Sequence, residues 1–319
     1  MSRPLSDRVC LVAGATRGAG RGIARMLGEA GAVVYCTGRS VRGGLASGDR
    51  RPETIHETAE LVTAAGGKGI AVRVDHTVEA EVRALADRVR EEHGHLDVLV
   101  NDIWGGDALT RWGTPFWELH VADGLAMLER AVHTHLITSR HLVPLMLGRD
   151  RGLVVEITDG DDLRYRGNLH YDLAKTAVTR LALAMAEELM PHGVTALAGT
   201  PGFLRSEEVL DHFGVTADTW RDAIAQDPHF AASETPCFVG RAIAALAADP
   251  HVHAKTGGLY ASWTLADEYG FVDVDGARPH WGRHFAEHVH LEPGTPGGPQ
   301  RTAWQWTLTR NEERGIPAT

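Results

Sequence analysis

Tyr171 and Lys175 stand four residues apart in the run Tyr171-Asp172-Leu173-Ala174-Lys175. On a helix, residues at i and i+4 share a face, so a phenol and an ammonium at this spacing meet in a common cleft. A free tyrosine loses its proton near pH ~10, and a neighbouring ammonium favours the phenolate, which would bring that proton within reach of acid–base chemistry near neutrality. Ordinary helix pairs share this spacing, so the weight of the pair depends on what precedes it.

What precedes it is a cradle for phosphate. The first apolar run empties into Ala13-Gly14-Ala15-Thr16-Arg17-Gly18-Ala19-Gly20-Arg21-Gly22, and an amphipathic stretch follows at once. A helix N-terminus there offers free N–H groups and the positive end of a dipole, and glycines let a pyrophosphate approach the backbone, so Gly14, Thr16, Arg17, Gly18 and Gly20 are candidate dinucleotide contacts. An acid at the end of the second strand would receive the ribose hydroxyls of NAD. The chain has Thr37-Gly38-Arg39-Ser40 instead. Arg39 and Arg17 can clamp a 2'-phosphate with Ser40 beside them, which favours NADP(H) over NAD(H); two solvated surface arginines are the alternative.

The elements that must hold these groups alternate between short apolar runs and longer amphipathic ones, the pattern of strands joined by crossover helices. Strands are expected at 8–13, 32–37, 69–74, 96–101, 152–158, 194–199 and 258–262, and helices at 20–30, 54–65, 78–93, 123–147, 171–190 and 236–248. That is an α/β chain with a Rossmann-type doubly wound parallel sheet and helices on both faces. Three stretches interrupt the alternation: 39–52, rich in Gly, Ser and Arg; 200–235, an insertion after a strand's carboxyl end that would shape a binding site; and a Gly/Pro/His-rich tail from 280 that carries Trp281, Trp304 and Trp306. The division is therefore 1–279 for the dinucleotide-binding domain and 280–319 for an extension.

Composition narrows the function. With 319 residues, 43% of them apolar, the chain can bury a full core, and a net charge of -10 with no basic run disfavours a nucleic-acid partner. Cys10, Cys36 and Cys237 are too far apart in sequence for a disulfide framework or a zinc pattern. There is no apolar leader or membrane span, which implies a cytoplasmic protein with a small-molecule substrate. His284, His288 and His290 have roughly helical spacing, but without a carboxylate or thiolate cluster they read as a solvated face, and no metal is expected.

Taken together, these residues resemble the short-chain dehydrogenase/reductase family, whose glycine motif has this spacing. Coverage runs from about residue 6 to 279. The segments 102–106, 134–136 and 265–276 are similar to the branch typified by dehydrogenase/reductase family member 1. The resemblance implies that Asp75-His76 contact adenine, that Asn101 ends the fourth strand at the cofactor, and that Pro201, Gly202, Phe203 and Ser206 hold the nicotinamide amide. It also implies that Tyr171 gives a proton to the reacting oxygen, that Lys175 bonds the nicotinamide ribose, and that the long helices pair in a homodimer or homotetramer, for which Leu181, Leu183 and Met185 are candidates.

Two family features have no match. A Ser about thirteen residues before the Tyr would bond the reacting oxygen; here Thr158 stands thirteen before and Asp159 twelve, and either can take its place. If Asp159 does, its carboxylate would repel the charge that grows on a carbonyl oxygen, raise the proton affinity of Tyr171 and suit a protonated imine or an amine, with Asp102, Asp161 and Asp162 adding to the field. The relay Asn of the preceding long helix is absent from 123–147. The implied function is an NADP(H)-dependent oxidoreductase acting on a carbonyl, alcohol or nitrogen analogue. A non-catalytic dinucleotide-binding sensor or scaffold is the alternative.

Overall fold

The computed structural model describes residues 3–44, 51–149, 151–162 and 164–289. Within them β1 (Val9–Ala13), β2 (Val33–Gly38), β3 (Lys68–Arg73), β4 (Val98–Asn101), β5 (Gly152–Ile157), β6 (Val194–Thr200) and β7 (Leu259–Ala261) form one sheet in the order β3-β2-β1-β4-β5-β6-β7. All neighbours run parallel. β1, β4, β5 and β6 are buried along their whole length, as a parallel sheet covered on both faces requires.

The helices are α1 (Gly18–Glu29), α2 (Ile55–Ala65), α3 (Glu79–His93), α4 (Val121–Leu128), α5 (Thr134–Leu142), α6 (Leu169–Leu189), α7 (Glu207–His212), α8 (Pro236–Ala248), α9 (Ser262–Tyr269) and α10 (Trp281–His288). Two apolar layers follow from the period-two alternation of each strand. Cys10 and Val12 of β1 face Ile23, Leu27, Val239 and Ile243 on α1 and α8. Val9, Leu11 and Ala13 face Val82, Leu85, Leu142 and Ala186 on α3, α5 and α6. The α1–α8 contact is unusually close, because a Cβ on Gly22 would lie 2.0 Å from the Pro236 carbonyl oxygen.

The single helix expected over 123–147 is a continuous helical run of changing pitch. A π-helical turn, Glu129–His133, joins α4 to α5, and a 3-10 turn at Val143–Leu145 ends it, where Pro144 removes a backbone donor. The last strand stops at Ala261, and Ser262 opens α9 rather than closing the strand. Leu183 is buried within the chain itself, whereas Met185 is half-buried against the apolar layer of α3 and α5. Cys10, Cys36 and Cys237 are free and buried. Among the described residues no helix is long and apolar enough to cross a membrane, and no group of three or more His, Cys, Asp or Glu side chains is placed to hold a metal. Residues 45–50 of the Gly/Ser/Arg-rich segment, and the tail from 290 with His290, Trp304 and Trp306, lie outside the described residues.

Candidate active site

A cleft of 1780 Å³ runs across the carboxyl ends of the strands. Its walls bring together Gly14, Thr16, Arg17, Gly18, Arg39, Ser40, Asp75, His76, Thr158, Asp159, Tyr171, Lys175, Pro201, Gly202, Phe203 and Ser206. Two expected contacts do not line it. Gly20 lies just below, where a Cβ would come within 2.4 Å of the Gly14 carbonyl oxygen and 2.9 Å of Asp102 Oδ2. Asn101 is fully buried, and its Nδ2 donates to Ser139 Oγ (3.0 Å) and Glu156 Oε1 (2.7 Å). Alternation along β4 turns it into the α5 layer, where Glu156 also meets His135 Nδ1 at 2.5 Å and His135 Nε2 lies 3.1 Å from the Ile103 carbonyl oxygen.

At the phosphate cradle, Gly14 has φ +90° and a Cβ there would sit 2.2 Å from the Asp102 carbonyl oxygen, so only glycine lets β1 and β4 exit side by side. Above Gly18 a Cβ would meet nothing nearer than 3.8 Å, and the Gly18 N–H already donates to the Glu207 carboxylate at 2.8 Å. The start of α1 therefore has the room and the donor that an anion needs, and the cradle fits a dinucleotide pyrophosphate. Arg17 lines the cleft with Nε 3.8 Å from Glu53, and Arg39 is exposed at its rim. Both ring nitrogens of His76 are already engaged within the protein. Its nitrogens are held by Thr37 Oγ1 and Thr138 Oγ1, both at 2.8 Å, and burial, with the nearby His135, pushes its pKa down to about 3. Asp75 Oδ1 is occupied by the N–H and hydroxyl of Thr77.

The reaction centre is set by the start of α6. Asn168 caps the helix, its Oδ1 accepting from the N–H groups of His170 (3.0 Å) and Tyr171 (3.1 Å) while its Nδ2 donates to the Arg111 carbonyl (3.0 Å). Tyr171 is thus fixed in the first turn, edge-on to Trp104 at 5.3 Å between centroids and tilted against Trp112 at 5.1 Å. Lys175, one turn on, rests its Nζ 4.3 Å from the centre of the Trp104 ring and 5.6 Å from that of Tyr171. The spacing argument is borne out in this respect, since both side chains enter one cleft.

The two candidates for the serine's place are turned in different directions. Tyr171 donates its hydroxyl hydrogen to Asp159 Oδ2 at 3.0 Å. Thr158 turns into α6, where its hydroxyl donates to the Lys175 carbonyl oxygen (2.8 Å) and accepts from Thr179 Oγ1 (3.2 Å). The expectation that a neighbouring ammonium lowers the proton affinity of the phenol is overturned. Burial, and then the charge and hydrogen bond of Asp159, raise Tyr171 well above the usual tyrosine range, with only Arg166 opposing. Desolvation lowers Lys175, against the nearby charges of Asp159, Asp102 and Asp107.

Several participants were not visible in sequence. Arg166 places Nε 3.8 Å from Asp159 and Nη1 3.4 Å from Asp172, and donates to the carbonyls of Asp162 and Arg164. Trp104, which floors Lys175, is pinned through Nε1 to Asp107 Oδ1 at 2.6 Å. Asp102, expected from the sequence to add to this field, sits under the cradle between the Gly20 N–H and Lys175, and desolvation raises it to about 7 despite both. Glu234, buried on the insertion, accepts from Gly202 N–H (2.9 Å) and Ser262 Oγ (2.5 Å) and so anchors the Pro201-Gly202 turn; burial raises it to about 8. The tail's first residues also belong to the site. Trp281, Gly282, Phe285, Ala286 and Val289 line the cleft, Trp281 lies 5.7 Å from Phe203, and Phe285 carries the Arg164 guanidinium at 4.3 Å. His284, read as solvated, packs on Trp281 and meets His229 at 3.0 Å.

Comparison with known proteins agrees with this architecture. Residues 8–211 match the short chain dehydrogenase family model. The chain is 34% identical over 281 residues to mouse dehydrogenase/reductase SDR family member 1, covering 86% of each sequence. Among solved structures, a putative dehydrogenase from Xanthomonas campestris superposes with a TM-score of 0.70 at 22% identity, covering 87% of this chain and 94% of that one. A putative short chain dehydrogenase from Shigella flexneri, complexed with NADP, superposes with a TM-score of 0.66 at 19% identity, covering 82% of this chain and 99% of that one.

Proposed function

Given that the chain belongs to the short-chain dehydrogenase/reductase family, we propose that it is an NADP(H)-dependent oxidoreductase acting on a small carbonyl/alcohol or imine/amine pair, with Tyr171 as its acid. The observation that carries this reading is the continuity of one cleft from the Gly14–Gly18 cradle to the Tyr171–Lys175 pair. A bound nicotinamide supplies hydride. The chain's own residues do the rest. The α1 N-terminus, Thr16 and Arg17 hold the pyrophosphate, and Arg39 and Ser40 meet the 2'-phosphate at a rim where the end of β2 offers no acid. The Glu234-anchored turn at Pro201-Gly202, with Phe203 and Ser206, borders the nicotinamide end. Tyr171 holds a proton at its Oη for the reacting atom, and Lys175 positions ribose and phenol from below.

The preference for NADP(H) is also supported by the NADP in the Shigella relative. We place the protein in the cytoplasm and assign it a homo-oligomeric state, the latter on the apolar outer surface of α4 and α6. Fluorescence titration with NADPH and NADH, followed by turnover on a panel of carbonyls and imines, tests the assignment. Tighter binding of NADPH, with carbonyl turnover abolished in Tyr171→Phe, is the expected result. NADPH binding without turnover on any substrate would favour the sensor reading.

A further inference from the structure

We infer that the substrate end of the cleft is built for a cationic nitrogen, an iminium or a protonated amine carried on an apolar or aromatic skeleton, in preference to a neutral ketone. This rests on the oxidoreductase reading and deepens it.

The inference starts from what surrounds Tyr171 Oη. A ketone oxygen at a reacting centre needs hydrogen-bond donors, more so as hydride arrives and negative charge grows on it. Here the phenol's one hydrogen is engaged by Asp159 at 3.0 Å, and the hydroxyl of Thr158, the other candidate for the serine's place, donates away from the cleft to the Lys175 carbonyl. Asp159 itself is nearly half exposed, on the cleft side, and an ionised carboxylate has only lone pairs to offer. A ketone oxygen would place its lone pairs against those of Asp159. An N–H of an iminium or ammonium would instead donate to Asp159 and bring a charge of the matching sign.

The charges considered at this point come from two loops and one helix. Asp159 follows β5, Asp102 and Asp107 follow β4, Lys175 lies on α6, and Arg166 precedes it. Lys175 is held on the Trp104 face below the phenol, and the Arg166 guanidinium is divided between Asp159, Asp172 and two carbonyls. Neither cation therefore fully neutralises the carboxylate. Tyr165, Phe203 and Trp281 also line the cleft and supply apolar area and ring faces that attract a desolvated cation, while the Phe285 ring already carries the Arg164 guanidinium.

The chemistry balances without an added proton. Hydride from a reduced nicotinamide adds to the iminium carbon, the π pair of the carbon–nitrogen double bond moves to nitrogen, and the products are the neutral amine and the oxidised nicotinamide. In reverse, a protonated amine gives its proton to Asp159, breaking N–H and forming O–H, before hydride leaves its carbon.

Binding provides a readout independent of turnover. Calorimetry on the NADPH-loaded protein would compare 1,2,3,4-tetrahydroisoquinoline, protonated at neutral pH, with its neutral analogue 1-tetralol; neither can be oxidised by a cofactor already reduced. The amine is expected to bind at least about tenfold tighter, and Asp159→Asn and Asp159→Ser are each expected to bring that ratio to within roughly threefold while NADPH affinity is retained. Turnover of 1-methyl-3,4-dihydroisoquinoline against 1-tetralone should follow, the Ser variant shifting kcat/KM towards the ketone. Equal binding of the two probes, no binding of either at millimolar concentration, or an amine preference that survives both variants would overturn the inference and leave the oxidoreductase reading standing. Failure to bind either nicotinamide dinucleotide would remove both.

Discussion

The hydrogen bond from Tyr171 to Asp159 keeps the phenol protonated, so Tyr171 enters a reductive turnover already loaded as an acid. Replacing it by Phe keeps the ring against Trp104 and Trp112 but removes the proton, and kcat on a ketone is expected to fall roughly 100-fold or more with NADPH affinity nearly unchanged, whereas an iminium brings its own proton and is spared most of that loss. Steady-state kinetics alongside fluorescence titration checks this, and a retained kcat would identify another acid. In the proposed NADP(H) assignment, cofactor choice rests on Arg39. Its replacement by Ala removes a charge-assisted bond of about 1.5–3 kcal/mol and is expected to cut the NADPH to NADH affinity ratio by about tenfold or more; an unchanged ratio would withdraw the 2'-phosphate contact. Asp102 makes a third case, through pH. Desolvation raises its carboxyl from 3.8 to about 7 in the folded protein, so between those values the fold keeps a proton that the unfolded chain has lost. Stability from this group is therefore full below about pH 4, declines as pH climbs to about 7 and is level above, by an amount on the order of 4 kcal/mol. Asp102→Asn keeps the shape of the neutral acid, and its Tm relative to wild type is expected to rise across that window. Parallel Tm curves would show that the carboxylate is not desolvated. Glu234, raised to about 8 with the same sign, is present in both proteins and cancels in the comparison.

At the scale of elements, the placement of Tyr171, the proposed acid, depends on how α6 begins. Asn168 satisfies two of the helix's first N–H groups and ties them to the 111 loop, so Asn168→Ala is expected to cost about 1 kcal/mol in urea unfolding and to lower kcat more than it raises KM; Asn168→Asp, which still caps, should recover most of the stability. This cap could have been read from an Asn just before the helical run, yet the element was placed to start at Tyr171. The strands and central helices were legible because burial on both faces writes continuous apolar runs and each crossover writes a 3.6-residue period. The choice between Thr158 and Asp159 was not. Successive residues at a strand's end point to opposite sides, so a one-residue difference in spacing decides everything and only the path after β5 settles it. Arg166, Asp107 and Glu234 act from loops, where no period reports direction. The pinning of Asn101 into a buried Glu156–His135 network was likewise hidden, since a buried carboxylate in a strand carries no signature until its partners are placed.

On the whole molecule, the outer surface of α4 and α6 leaves an apolar band unexplained by the fold. Val121 and Leu125 on α4, Leu169 and Leu173 on α6, and Leu136 on α5 are all exposed, with Trp112, Phe116 and Trp117 in the preceding loop. Residues 121 and 125, and 169 and 173, are i, i+4 pairs, so each helix presents a stripe, and α4 packs along α6. A monomer rarely shows water a band of this kind, whereas a two-fold contact would bury it against its own copy. The stripe on α6 faces away from Tyr171 and Lys175 on the same helix, so a partner would brace the catalytic turn from behind without entering the cleft. Light scattering is expected to show a dimer or tetramer at micromolar concentration. Leu125→Asp with Leu173→Asp would place two carboxylates in each copy of the contact, and the double variant is expected to run as a monomer that still binds NADPH but loses thermal stability and some kcat as α6 loosens. Because both positions are exposed in the single chain, the monomer itself should tolerate the charges; a wild-type protein that is already monomeric, or a double variant whose mass and Tm are unchanged, would show that α4 and α6 do not form the contact.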